Sequence, residues 1–212
     1  MNNEYILEVR HISKSFGKHL VLKDITFQIR RGEIIGISGE NGVGKSTLLK
    51  ILSGFLPPTK GEFTAQGRIG FCPQELLIFE TLTVKENFIY FATAYGLEQK
   101  KAAPSWERTK GELIEQFRFH CSEDTLASYL SGGTKQKLNL SLALLHSPDL
   151  FILDEPYSGF DWETYLHFWR YAEELKSRGK SFLVVSHFIH DHSKFDTIFQ
   201  LKEGVLQCVS TI

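Results

Sequence analysis

The chain has 212 residues, of which 42% are hydrophobic and 23% charged, the balance of a globular protein and not of a disordered or fibrous one. Its 24 Lys and Arg residues nearly cancel its 25 Asp and Glu residues, which argues against a protein that binds nucleic acid by attraction to phosphates. A chain of this length can bury enough surface to be stable without disulfides or structural metal. Its length also fits one domain, which we expect to cover residues 1–212.

The cysteines and the N-terminus narrow the expected location. The three cysteines stand far apart, at positions 72, 121 and 208, which indicates neither a disulfide framework nor a CxxC zinc site and favours a reducing compartment. The first residues lack a basic segment followed by an apolar one, and no stretch reaches the ~18 apolar residues that span a bilayer. We therefore expect any membrane contact to come through a partner.

The N-terminal part of the chain predicts two strands, then a strand, a loop and a helix. Glu4–Val9 and Val21–Ile29 are rich in β-forming residues and predict an antiparallel layer. Glu33–Ser38 is a short apolar run that ends at a glycine-rich turn, and Ser46–Leu52 has a helical composition. The order of strand, loop and helix is the one that a phosphate-binding loop requires.

After two prolines at positions 57 and 58, the chain is expected to return through a strand at Arg68–Cys72. A mostly helical stretch then runs from Val84 to about His146, with an interruption near Pro104. We interpret residues 84–146 as a helical subdomain inserted between strands.

The C-terminal part predicts buried strands at Leu150–Asp154 and Ser181–Ser186, joined by a helix from Asp161 to about Lys176. Apolar residues of this helix recur at helical spacing, namely Trp162, Tyr165, Leu166, Trp169 and Ala172. A hairpin is expected to close the chain through Thr197–Leu201 and Val205–Val209. Strands that alternate with helices indicate an α/β fold with a mostly parallel sheet.

The strongest chemical signal is the run from Gly39 to Ser46, which matches GxxxxGK[ST] between a predicted strand and a predicted helix. Its glycines let backbone N–H groups surround a phosphate, and the following helix presents its positive end to the same anion. We expect Lys45 to bridge the β- and γ-phosphates of a nucleotide and Ser46 to ligate Mg²⁺. A glycine-rich turn that matches by chance is the alternative. The predicted nucleotide-binding residues are Gly39, Glu40, Asn41, Gly42, Val43, Gly44, Lys45, Ser46 and Thr47.

A second signal is the apolar strand Leu150–Asp154, which is followed directly by Glu155. Because the C-terminal ends of parallel strands face the ligand crevice, Asp154 is expected to hold Mg²⁺ and Glu155 to address an attacking water. A strand that merely ends in solvated acids is the alternative.

A third signal, Leu130–Gln136, reproduces LSGGxxQ; together with Gln74 and His187 it makes the chain resemble the ATPase subunit of ABC (ATP-binding cassette) transporters. The resemblance covers nearly all of the chain, and its motifs stand in the order of that family: Gly39–Ser46, Gln74, Leu130–Gln136, Leu150–Glu155, the D-loop Ser158–Asp161, and His187. The resemblance implies a P-loop NTPase core with an N-terminal antiparallel β layer and an inserted helical subdomain, and ATP and Mg²⁺ as ligands.

The resemblance also implies individual roles. Phe16 matches the aromatic residue that stacks on adenine; a core phenylalanine is the alternative, since the chain has 17 Phe. Gln74 is expected to reach Mg²⁺ and the attacking water, and His187 to contact the γ-phosphate and hold Glu155 in line. The histidines that follow His187 suggest a metal cluster as an alternative, although we expect His190 and His192 on the surface of a short helix.

The signature segment, Leu130–Gln136, implies an oligomer. In the family, Ser131 and Gly133 bind the γ-phosphate of ATP held by the opposite subunit, and the predicted set there is Ser131, Gly132, Gly133, Gln136 and Asp161. We therefore expect a head-to-tail pair, formed with a second copy or with a paralogous cassette, that closes on ATP and opens after hydrolysis.

The resemblance places a further partner at Glu75–Asn87, where the family receives a transmembrane permease. Core packing is the alternative for each apolar residue of this segment, namely Leu76, Leu77, Ile78, Phe79 and Leu82. The expected protein is a peripheral subunit at the cytoplasmic face of the membrane; a weak likeness in the tract from signature to D-loop favours an exporter. A soluble ABC-type ATPase that acts on ribosomes or nucleic acid, or an adaptor that binds nucleotide without hydrolysis, are the other hypotheses. No nucleic-acid partner is expected.

Overall fold

The computed structural model describes residues 4–98, 105–187, 189 and 191–211. Its strands are β1 Tyr5–Phe16, β2 His19–Arg30, β3 Ile34–Ser38, β4 Lys60–Ala65, β5 Ile69–Cys72, β6 Leu150–Asp154, β7 Ser181–Ser186, β8 Thr197–Lys202 and β9 Val205–Thr211. Its α-helices are α1 Lys45–Leu52, α2 Val84–Ala94, α3 Trp106–Gln116, α4 Gly132–Leu144 and α5 Trp162–Ser177. The predicted alternation of strands and helices is confirmed.

The central sheet has the strand order β5-β6-β7-β3-β8-β9. All neighbouring strands pair in parallel except β8 and β9, which form the predicted C-terminal hairpin. Every residue of β6 and β7 is buried, because both faces of this sheet are covered, and their near-continuous apolar runs reflect that burial. The C-terminal ends of β3, β5, β6 and β7 meet at one edge, and the candidate site lies there.

The N-terminal layer is a three-stranded antiparallel sheet of order β2-β1-β4. The predicted pairing of the first two strands is confirmed, but β1 continues to Phe16, well beyond the expected end at Val9. Strand β4 was not predicted: its sequence, KGEFTA, has one large apolar residue, and the strand pairs only with β1 at the edge of the sheet.

Three helices, α2 to α4, follow one another between β5 and β6, in agreement with the predicted helical stretch; Pro104 lies outside the described residues. Helix α5 buries Phe168, Trp169 and Ala172, whereas Trp162 is 72% exposed because it is the first residue of the helix, before the buried face begins. Among the described helices, none is both long and apolar enough to cross a membrane.

Candidate active site

The phosphate-binding loop leads directly into α1. Gly44 is the N-cap residue of α1 and has φ 112°, a left-handed conformation that glycine adopts without strain. No side chain caps this end of α1, and its first turn holds no acidic residue, so the helix leaves its first N–H groups available to an anion. The ammonium group of Lys45 donates hydrogen bonds to the carbonyl oxygens of Gly39 (2.6 Å) and Glu40 (2.8 Å), which ties the two ends of the loop together.

Opposite charges lie close together beneath the loop. Asp154, at the end of β6, is buried, and burial raises the pKa of its carboxyl group; a hydrogen bond from Ser46 and the charge of Lys45 oppose that rise. Burial likewise lowers the pKa of Lys45, while Glu155 and Asp154 oppose the change. A buried carboxylate in contact with a serine hydroxyl is the oxygen donor set that Mg²⁺ prefers, so these two residues fit the predicted metal.

Glu155 and His187 form a pair at the carboxyl ends of β6 and β7. The Nε2 atom of His187 lies 2.8 Å from Oε1 of Glu155, and both side chains are partly accessible. Glu155 has φ +49°, a conformation that costs a non-glycine residue energy, and its N–H donates to the carbonyl of Val185 at 2.9 Å. The turn that follows β6 therefore directs this carboxylate towards the histidine.

One open cavity of about 170 Å³ gathers most of the predicted catalytic residues. Its lining consists of loop residues, the carboxylates after β6, the histidine after β7 and the glutamine after β5: Asn41, Gly42, Gly44, Lys45, Ser46, Thr47, Gln74, Asp154, Glu155 and His187. Gly39 and Glu40 line an adjoining cavity that shares Asn41 and His187 with the first, and Val43 lines a further one. Carboxylates, a histidine, a cation and loop amides thus face a single volume, which suits the binding of a nucleoside triphosphate and the hydrolysis of its terminal phosphoanhydride.

Phe16 stands at the end of β1, before the turn to β2. Its side chain is 51% exposed, so the alternative of a core phenylalanine does not hold. The ammonium group of Lys14 lies 5.2 Å from the centre of its ring. An exposed aromatic face is what stacking on a nucleotide base requires.

The signature segment occupies the N-terminus of α4. Ser131 is the N-cap residue and its hydroxyl accepts the N–H of Thr134 at 3.3 Å; both Ser131 and Gly132 are exposed. These residues do not line the 170 Å³ cavity. Gly133 abuts the D-loop: a Cβ atom at this position would lie 2.6 Å from the carbonyl oxygen of Gly159. Signature and D-loop therefore touch within one chain, while the signature serine stays apart from the phosphate-binding loop.

Two other predicted ligands have structural contacts within the chain. Gln136 is buried, and its Nε2 atom lies 3.4 Å from the carbonyl oxygens of both Glu155 and Pro156. Asp161 caps α5 by accepting hydrogen bonds from the N–H and hydroxyl of Thr164, both at 2.8 Å, which lower the pKa of its carboxyl group to about 2. A nucleotide contact by either side chain stays a prediction.

Asn139, a buried amide on α4 that hydrogen-bonds the segment containing Gln74, was not predicted from the sequence. A polar side chain amid the buried residues 136–144 of a helix was the available signal. The alternative of a histidine metal cluster includes His190, which lies outside the described residues, so it stays untested; among the described residues, no three His, Cys, Asp or Glu side chains group around a common point. His192 begins an exposed turn of 3₁₀ helix.

Comparisons with known proteins agree with this geometry. The family model described as ABC transporter matches residues 22–158. The linearmycin resistance ATP-binding protein LnrL of Bacillus subtilis is 31% identical over 88% of this chain and 62% of its own length. The Nod factor export ATP-binding protein I of Bradyrhizobium diazoefficiens is 32% identical over 91% of this chain and 66% of its own length. The chain thus spans less than two thirds of these relatives.

Among solved structures, the ATP-binding subunit of an ABC transporter superimposes with a TM-score of 0.89 at 29% sequence identity. The match covers 98% of this chain and 90% of that structure. The fold, with its antiparallel layer and parallel central sheet, is therefore that of the matched subunit, and the predicted fold class is confirmed.

Proposed function

The chain belongs to the ABC transporter family of ATP-binding proteins, and from that premise we propose that it hydrolyses ATP in the cavity at the ends of β3, β6 and β7. The observation that carries the proposal is the convergence of the phosphate-binding loop, Asp154 and the Glu155–His187 pair on one volume. A protein that only bound nucleotide would need the loop but not the carboxylate–histidine pair, which makes the adaptor hypothesis the weaker one.

In this proposal Glu155 is the general base, which accepts a proton from the water that attacks the terminal phosphorus. His187 orients the carboxylate through its 2.8 Å contact and approaches the γ-phosphate. Lys45, with Gly39–Thr47 around it, supplies the positive charge and the N–H groups that hold the β- and γ-phosphates. Asp154, Ser46 and Gln74 would hold Mg²⁺, which neutralises charge on the transferring phosphoryl group. Phe16 stacks on the adenine.

We propose that the site is completed by a second copy of the chain, or by a paralogous cassette, in a head-to-tail arrangement. Support comes from the separation within one chain: Ser131 and Gly132 are exposed and do not line the cavity. In the assembly these residues, together with Gly133, Gln136 and Asp161, would approach the ATP held by the partner. Closure on ATP and opening after hydrolysis would then be the mechanical output.

The partner that receives this motion is proposed to be a separately encoded transmembrane permease. Of the predicted patch, Leu76, Leu77 and Phe79 are 38–45% exposed, which argues against core packing of these three, whereas Ile78 packs against a buried cluster and Leu82 is half-buried. Ile89 and Tyr90 on α2, 38% and 50% exposed, extend the exposed apolar surface. Phe79 and Tyr90 pack edge to face with ring centres 4.5 Å apart, so the loop and α2 share this part of the surface. The chain would then sit at the cytoplasmic face of the membrane, with residues 84–146 as the helical subdomain of a single ATPase domain.

Export is the proposed direction of transport, supported by a relative named a Nod factor export ATP-binding protein. The cargo would be selected by the permease and not by this chain.

The first test is phosphate release from ATP by the purified chain. Lys45→Ala should abolish phosphate release, because it removes the cation from the loop. Lys85→Ala is the control: Lys85 lies on α2 with an exposed side chain and does not line the cavity, and its removal should leave turnover nearly unchanged. Turnover that survives Lys45→Ala would contradict the proposed site.

The second test is affinity capture of the tagged Glu155→Gln chain from detergent-solubilised cells in the presence of ATP. A polytopic membrane protein in stoichiometric amount is expected, and Leu77→Glu with Phe79→Glu should release it without loss of ATP binding. Phe55→Glu is the control, because Phe55 is equally apolar, 69% exposed and outside the patch. Capture of ribosomal proteins or nucleic acid instead would favour the soluble ATPase.

A further inference from the structure

Gln74 belongs to a loop, residues 73–83, that joins β5 to α2 and is called here the Gln74 loop. The first part of this loop is not held by its own backbone: within the described chain, no backbone–backbone hydrogen bond involves residues 73–78. Gln74 nevertheless lines the cavity opposite the phosphate-binding loop. Some other group must hold the backbone where Gln74 can face that cavity.

That group is the side-chain amide of Asn139, on the buried face of α4. Its Oδ1 atom accepts the N–H of Leu77 at 2.9 Å, and its Nδ2 atom donates to the carbonyl of Pro73 at 3.2 Å. The same nitrogen lies 3.3 Å from the sulfur of Cys72, the last residue of β5. Asn139 thus fastens the loop on both sides of Gln74 while being only 3% exposed.

The chemistry of these partners requires an amide. The N–H of Leu77 can only donate and the carbonyl of Pro73 can only accept, so the side chain between them must offer one acceptor and one donor. A carboxylate of the same shape would face the buried carbonyl of Pro73 with a second acceptor, and an aliphatic side chain would remove the partner of both backbone groups. Packing alone therefore does not account for an asparagine here.

Gln136 lies on the same face of α4, one helical turn before Asn139. The side-chain amide of Gln136 lies against the carbonyls of Glu155 and Pro156. The helix that begins with the signature segment is therefore bonded both to the backbone of the proposed general base and to the loop of Gln74. Any displacement of α4 would be transmitted to both sides of the cavity.

We propose that Asn139 is a positioning residue for ATP hydrolysis, which sets the Gln74 loop so that Gln74 faces the phosphate site. The inference rests on the proposed function, because it takes ATP hydrolysis as the reaction that Gln74 serves. Asn139 itself touches neither the cavity nor a reacting atom and acts through Gln74.

The matched control is Asn87, an equally buried amide on α2 that holds the other end of the same loop. Its side chain accepts the N–H of Phe79 at 2.8 Å and donates to the carbonyls of Phe79 and Thr83 at 3.0 and 2.9 Å. Asn87→Leu should lower the melting temperature about as much as Asn139→Leu does, without moving Gln74. Loss of stability and loss of positioning can therefore be separated.

The experiment compares kcat and KM for ATP among the wild type, Asn139→Leu, Asn139→Asp and Asn87→Leu, alone and combined with Gln74→Ala. Both Asn139 variants should lower kcat by about tenfold with KM within about twofold, because misplacement of a catalytic group affects the transition state more than binding. Asn87→Leu should leave kcat near the wild-type value. On the Gln74→Ala background, Asn139→Leu should cause no further loss, since the effect passes through Gln74.

Hydrogen exchange on the wild type gives a readout that needs no folded variant. The amide of Leu77 should exchange slowly although it lies outside any strand or helix, because its N–H is hydrogen-bonded to Oδ1 of the buried Asn139. Three results would each overturn the inference while leaving the proposed function intact. They are fast exchange of the Leu77 amide, a loss of kcat in Asn87→Leu equal to that in Asn139→Leu, and a further tenfold loss of kcat when Asn139→Leu is added to Gln74→Ala. A wild-type chain that hydrolyses no ATP would instead overturn the proposed function, and the inference with it.

Discussion

At the ends of β6 and β7, Lys45, Asp154 and the Glu155–His187 pair face one cavity, whereas at the start of α4 the residues Ser131 and Gly132 face solvent. The first region is closed by contacts within the chain: Lys45 donates to loop carbonyls and Ser46 bonds Asp154. In the second region, Ser131 caps the start of α4, and neither Ser131 nor Gly132 lines the cavity.

The difference separates the steps that a single chain can perform from those that need a partner. Binding of the triphosphate and activation of water need only groups that one chain already brings together, so nucleotide binding should be a property of the single chain. Turnover should require the open region to meet a partner. Changes in the closed region should therefore alter chemistry or nucleotide affinity, whereas changes in the open region should alter assembly.

After the loss expected for Lys45→Ala, Glu155→Gln should have the next largest effect, because it removes the proposed base from the closed region. We expect kcat to fall by about a thousandfold, within the range for loss of a general base, while ATP binding persists. Since hydrolysis no longer separates the subunits, the variant should accumulate as a dimer in ATP. Phosphate release and size-exclusion chromatography measure the two effects.

Glu115→Gln serves as the control for that prediction, because Glu115 is an exposed acid on α3, away from the site. It should match the wild type in turnover and in elution volume. A Glu155→Gln chain with unchanged turnover would remove Glu155 as the base.

Gly133→Ala, in the open region, should have the next largest effect on turnover. The new Cβ would lie 2.6 Å from the carbonyl of Gly159, so signature and D-loop must separate. Turnover should fall by about a hundredfold, as misplacement of a positioning element does, while ATP binding by the single chain is retained. Equilibrium binding of ATP, sedimentation and phosphate release distinguish these properties.

Gly111→Ala is the matched glycine substitution, because a Cβ atom there meets no heavy atom within 4 Å in the middle of α3. It should leave turnover unchanged and stabilise the helix slightly. If Gly133→Ala turned over ATP as the wild type does, the signature segment would not contribute to the site.

Phe16→Ala should have a smaller effect, on affinity alone. Loss of a stacking contact to a base costs about 1–3 kcal/mol, so the dissociation constant for ATP should rise about tenfold. Phe16→Trp should retain affinity, and Phe55→Ala, which removes a similarly exposed ring elsewhere, should change nothing. Inorganic triphosphate should bind the wild type and Phe16→Ala equally, because it has no base; a loss shared by both ligands would contradict the stacking role.

The same contrast between local and assembled features separates what the sequence could and could not predict. The strands that carry Asp154 and Ser186 were predictable, because burial on both faces demands continuous apolar runs. Strand β4 was not, because an edge strand with one neighbour needs few apolar residues. The role of Asn139 depends on backbone groups more than 60 positions earlier in the chain, and no local pattern encodes such a pairing.

On the single chain, before any assembly with a partner, Asp161→Ala should have the smallest effect of these substitutions, a loss of stability. Loss of the cap of α5 should lower the free energy of unfolding by about 1 kcal/mol at pH 7. Because the pKa of Asp161 falls from 3.8 to about 2 on folding, its contribution is full above about pH 4 and is lost as the pH falls towards about 2. In urea unfolding, the gap between wild type and Asp161→Ala should therefore narrow over that window. Asp161→Asn, which keeps an oxygen acceptor without the charge, should recover most of the stability and show no such pH dependence; a gap constant with pH would mean that the carboxylate charge does not stabilise the cap.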